Sequence, residues 1–392
     1  MLAKVPAAAP VPNSVERGLR TGPAVPPEAY PSWTVNAYDL DLEGMRRLFD
    51  EWSLPAYRAQ QVFAGLWARE DTYEEMTDLP GALRRRLDAE LPAQLEVLTE
   101  RSADRGATRK ALLRVGGRHV IESVLMGYRD RVTVCVSTQV GCAMGCVFCA
   151  TGQMGLEGNL TAGEIAAQVV WANRAARSLP EWMPRRVTNV VFMGMGEPLA
   201  NYRATATAIV RLQDPAGIGL GARHVTVSTV GLVPGIRRLG MDHPQVGLAI
   251  SLHAADDELR TSLVPPNRWW PLLELEAAVA EWRERTGRRP SIEWTMIDGT
   301  NDDDRQAGLL AATAGRLAAH VNLIPMNSTP GSALRPSPGS RVRAFAGVLR
   351  ARGVTVTVRD TRGRTIDAAC GQLRLYVGDG AAQYGAPRAE AG

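Results

Sequence analysis

The sequence predicts an α/β chain built as a partial (β/α) barrel of the TIM type, with a small helical domain in front of it. Two observations carry this reading. From Arg131 onward, short β-branched runs alternate with long stretches of helical periodicity, the mark of repeated strand-helix units around a parallel sheet. Between about Val35 and Pro92, by contrast, apolar residues recur at helical spacing in LEGMRRLFDEW, YRAQQVFAGLWARE and GALRRRLDAEL, with Pro55 and Pro80 as punctuation.

Taken in order, residues 1–34 are rich in Pro and Ala without periodicity and are expected to be a disordered extension. Residues 35–100 are assigned to the helical accessory domain and 101–378 to the barrel core. The small, polar stretch 379–392 is expected to be a disordered tail. The strands expected in the core are RVTVCV, TNVVFM, HVTVST, VGLAIS, SIEWTM, VNLIP and VTVTV. Helices are expected from Thr161, from about Tyr202, from Pro271, from Asp302 and from about Ser340. Thr161 with Glu164 forms a capping box before an apolar-periodic run, which marks one helix start. In such an architecture ligands gather at the carboxyl ends of the strands.

Composition narrows the function classes. No apolar run approaches the roughly 18 residues of a membrane span, and prolines interrupt the opening segment where a signal peptide needs an apolar stretch. A cytoplasmic protein with no membrane partner is expected, a monomer by default. The balance of 45 basic against 41 acidic residues is only mildly favourable to a polyanion. Lysine occurs only at Lys4 and Lys110, so nearly all of the positive charge is arginine. Five cysteines are too few for a disulfide scaffold, and four of them fall between Cys135 and Cys149.

Three of those four have the spacing Cys142-x3-Cys146-x2-Cys149, with Phe148 just before the last. A 4Fe-4S cluster normally takes four thiolates, so a compact set of three leaves one iron open to a small molecule. The rival is structural zinc, which wants four closed tetrahedral ligands, with His119 or Cys135 as the fourth. Zinc knuckles usually come in pairs, and no second knuckle exists here. Gly141, Gly145 and the polar run STQ put the triplet on a loop directly after the first barrel strand.

The CxxxCΦxC pattern, with Phe148 as the aromatic Φ, resembles the signature of the radical S-adenosylmethionine (SAM) superfamily. MGMGEPL at Met193 to Leu199, one strand-helix unit downstream, strengthens that likeness. Over about Leu40 to Val377 the chain resembles the radical SAM adenine-C2 methyltransferases. They act on 23S ribosomal RNA and, in some members, on transfer RNA. STQVGCAMGCVFCATGQMG, VVFMGMGEPLANY, VTVSTVGLVPGI, LAISLHAADDELRTSLVPPNR, VNLIPMN and DAACGQL read in order like that family's blocks, as do YRAQQVFAGLW and YEEMTDLP.

The resemblance implies roles residue by residue. Cys142, Cys146 and Cys149 would bind the 4Fe-4S cluster, with the fourth iron for SAM. Gly196, Glu197, Ser228, Ser251, Leu252, His253 and Asn327 would contact SAM. Cys370 would carry the methyl group, Glu122 would accept the carbon-2 proton, and Cys135 would resolve a covalent protein-RNA intermediate through a transient disulfide with Cys370. Two SAM molecules are consumed per turnover, with an electron donor for the cluster and a reductant for the disulfide as partners. The helical domain, together with the basic stretch RSADRGATRKALLR, is expected to guide the RNA. A sister enzyme acting on carbon 8 of the same adenine and a zinc-stabilised RNA-binding module are the alternatives.

Overall fold

The computed structural model describes residues 35–327, 332–359, 366, 372 and 373. Helices α1 (Leu42–Glu51), α2 (Ala56–Ala64) and α3 (Gly81–Glu90) form the helical domain. The Asp41 side chain caps α1 by accepting the Gly44 N–H at 2.6 Å. The periodic apolar residues of the three helices, among them Met45, Phe49, Val62 and Leu87, are buried together with Leu66 and Trp67, which follow α2. Helix α3 ends at Glu90, and the first strand begins at Leu95.

Among the described residues the core is one ten-stranded sheet. Strands β1 (Leu95–Ala103), β2 (Thr108–Val115), β3 (His119–Gly127) and β4 (Val132–Cys135) are antiparallel to one another. Strands β5 (Gln139–Cys142) and β6 (Gly155–Asn159) leave the sheet as a separate two-stranded ribbon. From β4 the main sheet continues in parallel through β7 (Asn189–Phe192), β8 (Val225–Thr229), β9 (Gly247–Ser251), β10 (Ser291–Met296), β11 (His320–Pro325) and β12 (Val356–Val358). Among the described residues β1 and β12 are its two edges, so the barrel is open and partial. All seven expected barrel strands are present.

Helix α4 (Ala150–Met154) follows the cysteine loop, and α5 (Ala162–Ala176), α6 (Tyr202–Gln213), α7 (Val233–Asp242), α8 (Asp257–Leu263), α9 (Leu272–Thr286), α10 (Asp304–Leu317) and α11 (Gly339–Ala351) complete the set. The Thr161 capping box is formed, with the hydroxyl accepting from Glu164 N at 3.1 Å and the Glu164 carboxylate accepting from Thr161 N at 2.7 Å. The helical domain is fixed to the core at two points. Asn173 and Arg177 of the α5 end bind the Glu70 carboxylate at 3.0 and 2.5 Å, and Arg211 of α6 donates to the carbonyls of Tyr38 and Asp39.

The basic stretch RSADRGATRKALLR is the β1–β2 hairpin, and three of its cations are matched by glutamates: Arg109 by Glu100, Lys110 by Glu122 and Arg114 by Glu96. Of the three, Lys110 is buried, which withdraws it from a phosphate-binding surface. Among the described residues, no helix is long and apolar enough to cross a membrane.

Candidate active site

The cysteine loop hangs between β5 and β6. Cys142 ends β5, and α4 and β6 return the chain antiparallel to it. Gly141 sits at φ 73°, and a Cβ there would lie 1.9 Å from the Gly155 carbonyl oxygen, so only glycine lets the two strands of the ribbon close. Cys142 and Cys146 are buried and Cys149 is half-buried. All three line one cavity at the carboxyl ends of the parallel strands, as does Phe148, whose ring meets that of His253 edge-on with centroids 4.5 Å apart.

The same cavity is lined by Gly196, Glu197, Ser228, Ser251, His253 and Asn327, six of the seven expected SAM contacts. Topology accounts for this gathering. Gly196 and Glu197 follow β7, Ser228 lies near the end of β8, Ser251 ends β9, and Asn327 follows β11. Glu197 ties two strand ends together, because its carboxylate accepts Leu199 N at 3.0 Å and Val230 N at 2.9 Å. Burial pushes its carboxyl up to about 7 despite those donors. Gly196, at φ 98°, packs so closely on Gln139 that a Cβ would come within 2.6 Å of the Gln139 Cβ.

His253 has the left-handed φ of 60°, and its Nδ1 accepts the Thr295 N–H at 3.0 Å. Burial, then the charge of Arg260, pushes the imidazole down to about 3, so the ring is neutral. Leu252 does not line the cavity. It is buried and acts through its main chain, the amide donating to Glu293 O and the carbonyl accepting from Arg260.

Glu122 and Cys135 stand apart from the cavity wall. Both are buried, on β3 and β4. Cys135 pairs in register with Val124 on one side and Val191 on the other, and strand alternation places Glu122 on the face of Val124. Met193, two residues beyond Val191, lines the cavity. A short relay joins the two regions: Ser137 Oγ donates to the Glu122 carbonyl at 2.6 Å and accepts Met195 N at 2.9 Å, one residue before Gly196. Cys370 lies outside the described residues.

Sequence reasoning missed two residues of this region. Glu293, in the middle of β10, lines the cavity, with Oε1 accepting from Asn322 Nδ2 at 2.8 Å and Oε2 lying 3.9 Å from Arg359 Nη1. A carboxylate interrupting the apolar run of SIEWTM was the available signal. Arg260 of α8 is buried and donates to the carbonyls of Val230, Ser251 and Leu252 and to Asn267 Oδ1, fastening the ends of β8 and β9. Nothing in its charge pattern distinguishes it from a solvated helix arginine.

The Radical SAM superfamily model matches residues 136–309, and that of the ribosomal RNA large subunit methyltransferase N-terminal domain matches residues 35–91. The probable dual-specificity RNA methyltransferase RlmN of Salinispora tropica is 53% identical over 347 residues, covering 87% of this chain and 93% of its own. The chain belongs to the RlmN family. A second RlmN, from Roseiflexus castenholzii, is 48% identical over 86% of this chain and 95% of its own. The crystal structure of a radical SAM methyltransferase from Sphaerobacter thermophilus superposes with a TM-score of 0.83 at 48% identity, covering 87% of this chain and 99% of that one.

Membership brings a 4Fe-4S cluster and SAM as cofactors, and the donor set fits them. Burial, reinforced by the neighbouring thiols, pushes the Cys142 and Cys146 thiols up, so together they ionise only where a cationic group neutralises them. A cluster asks each thiolate to reach its own iron, whereas zinc asks four ligands to converge on one ion. Among the described residues no three His, Cys, Asp or Glu side chains form a single-ion site. The two residues considered as a fourth zinc ligand are otherwise engaged: His119 Nδ1 lies 3.0 Å from Glu164, and Cys135 sits in β4.

Proposed function

We propose that this chain is a radical SAM methyltransferase that methylates carbon 2 of adenosine 2503 in 23S ribosomal RNA and also an adenosine of transfer RNA. One observation carries the reading. One cavity is lined by Cys142, Cys146 and Cys149 together with Glu197, Ser228 and Ser251, in a chain 53% identical to a probable dual-specificity RNA methyltransferase. Carbon 2 of adenine is electron-poor and does not attack a sulfonium methyl as a nitrogen nucleophile would. With cluster and SAM bound, the site supplies a methyl donor and a 5′-deoxyadenosyl radical.

The chain's own residues do the rest. Cys142, Cys146 and Cys149 would hold three irons, and Gly196, Glu197, Ser228, Ser251, His253 and Asn327 would hold SAM, while Leu252 supports them from behind the cavity wall through its main chain. Cys370 carries the methyl as a thioether and tethers the base to the protein. Glu122 takes the carbon-2 proton. Cys135 attacks the Cys370 sulfur, releasing the methylated base and leaving a disulfide that an external dithiol resets, while a separate electron donor serves the cluster. The burial of Cys135 in register beside the strand of Glu122 supports the pairing of these roles. The adenine must leave its stack to reach them, and the helical domain, tied to the core through Glu70 and Arg211, would guide the RNA.

Mass spectrometry of nucleosides from 23S RNA treated with the anaerobically reconstituted protein tests this. Methyladenosine modified at carbon 2 is expected, and Cys135→Ala is expected to accumulate a covalent protein-RNA adduct. Modification at carbon 8 would assign the chain the sister reaction, and unmodified RNA would overturn the reading.

A further inference from the structure

In a chain whose basic residues are arginine almost throughout, the mid-strand cation of β2 is a lysine. Lys110 is only 4% exposed, and its Nζ lies 2.7 Å from Oε1 of Glu122, which is wholly buried. Lys110 sits opposite Val124, and Val124 sits opposite Cys135, so the three form one row across β2, β3 and β4. Glu122 lies two residues from Val124 and shares that face. The ammonium, the carboxylate and the thiol therefore share one face of the sheet, the face that Met193 continues into the cavity wall.

A carboxyl group buried by itself holds its proton, and a protonated carboxyl cannot accept another. An ammonium at hydrogen-bond distance reverses this by favouring the charged form. Lysine suits the task as a compact point charge, where the wider arginine fork would need more room.

We propose that Lys110 is a positioning residue for the methylation: it keeps the Glu122 carboxylate ionised and aimed so that Glu122 can accept the carbon-2 proton. The inference rests on the reading of Glu122 as the proton acceptor. In the step, the carbon-2 C–H bond breaks, an O–H bond forms on Glu122, and the bonding pair stays with the ring. Lys110 neither gains nor loses a proton.

The test uses the reconstituted holoenzyme with RNA carrying hydrogen or deuterium at carbon 2 of the target adenosine. In Lys110→Met, kcat is expected to fall about 10- to 100-fold, within the range that a placed acid or base contributes. The KM for RNA should stay within about twofold, because the pair is buried and paired rather than offered to phosphate. The deuterium isotope effect on turnover should rise, since proton removal becomes the slow step, and Lys110→Arg should recover part of kcat. A purely structural defect would slow turnover without raising the isotope effect.

Iron content and melting temperature check that the variants fold. Where Lys110→Met fails to hold the cluster, Lys110→Gln, which keeps a donor but no charge, is read in the same way. Wild-type kcat, or a lowered kcat with an unchanged isotope effect, in a folded neutral variant overturns the proposal. Glu122→Gln run in parallel separates the two claims. If it turns over like wild type, the acceptor reading itself fails. If it is crippled while the neutral Lys110 variant is normal, only the role of Lys110 fails.

Discussion

The parallel arc from β4 to β12 and the antiparallel strip from β1 to β4 belong to one sheet, yet they carry their polar side chains in different places. Along the arc most of these groups stand at strand ends, as with Glu197, Ser228, Ser251 and Asn327, where the main chain opens into a cavity. In the strip, Lys110 and Glu122 stand in the middle of strands whose neighbours are nearly all buried. A polar group at a strand end has loop amides or a ligand to bind. One buried in mid-strand must bring its partner with it, and the 2.7 Å pair does so. Strand ends can therefore be changed for function at little cost in stability, whereas mid-strand positions couple the two.

The strongest way to break this comparison is at the cysteine loop. Cys146→Ala removes a small buried side chain from a loop and should leave the stability of the metal-free protein within about 1 kcal/mol of wild type. Iron and sulfide after reconstitution should nevertheless fall to background, and methylation with them. A large loss of stability, read by urea unfolding, would show that the loop is part of the folding core and that strand ends are no freer than strand middles.

How much of this was legible follows the same division. Each of the seven parallel strands was readable as a β-branched run between turn signals, and the cysteine and Gly-Glu-Pro motifs fell at their ends by topology. The strip was read only in fragments. The burial of β2, TRKALLRV, does not alternate, and β3 is buried through its centre, so neither strand shows the period-two pattern of a half-exposed strand. Its hairpin turn bends through three consecutive left-handed residues, Asp104, Arg105 and Gly106, of which only the glycine announces itself. Lys110 was read with the surrounding arginines as a surface charge because the carboxylate that neutralises it is twelve residues away, across a turn. Helix α8 was missed because its seven residues follow the end of β9 closely, and α7 because Pro234 and Gly235 in its first turn read as a loop.

Arg260 sharpens the comparison from the other side, as a buried charge that serves strand ends. Its guanidinium holds the carbonyls of Val230 at 2.5 Å and Leu252 at 3.1 Å, and burial pushes it down to about 10. Replacing it with Met leaves the Val230 carbonyl and Asn267 Oδ1 without this donor, while the Leu252 carbonyl keeps only the Ala254 N–H. The expected cost is about 3–5 kcal/mol, because several hydrogen bonds to a charged group are lost together. SAM affinity, measured by calorimetry on reconstituted protein, should fall about tenfold as Ser228 and Ser251 lose their alignment, a shift of about 1.4 kcal/mol. Unchanged affinity with reduced stability would confine Arg260 to the fold.

The smallest effect belongs to His253, at the junction of cluster loop and strand ends. Its imidazole is pushed down to about 3 in the folded chain, mainly by burial, while in the unfolded chain it titrates near the ordinary value of 6.5. As pH falls below 6.5 the unfolded chain takes up a proton that the folded chain refuses, because Nδ1 is engaged in accepting the Thr295 N–H. The stability contribution is therefore complete above about 6.5 and is lost progressively toward 3, at about 1.4 kcal/mol per pH unit. Asparagine tolerates the left-handed φ of 60° and can accept the same hydrogen bond, but it does not titrate. Unfolding free energies of the metal-free wild type and His253→Asn, compared at pH 6.5, 5.5 and 4.5, should draw together or cross by about 1.4 kcal/mol per step. A gap that stays constant with pH would mean that the folded site accepts the proton, and that strand ends here are open to water even where the side chain is buried.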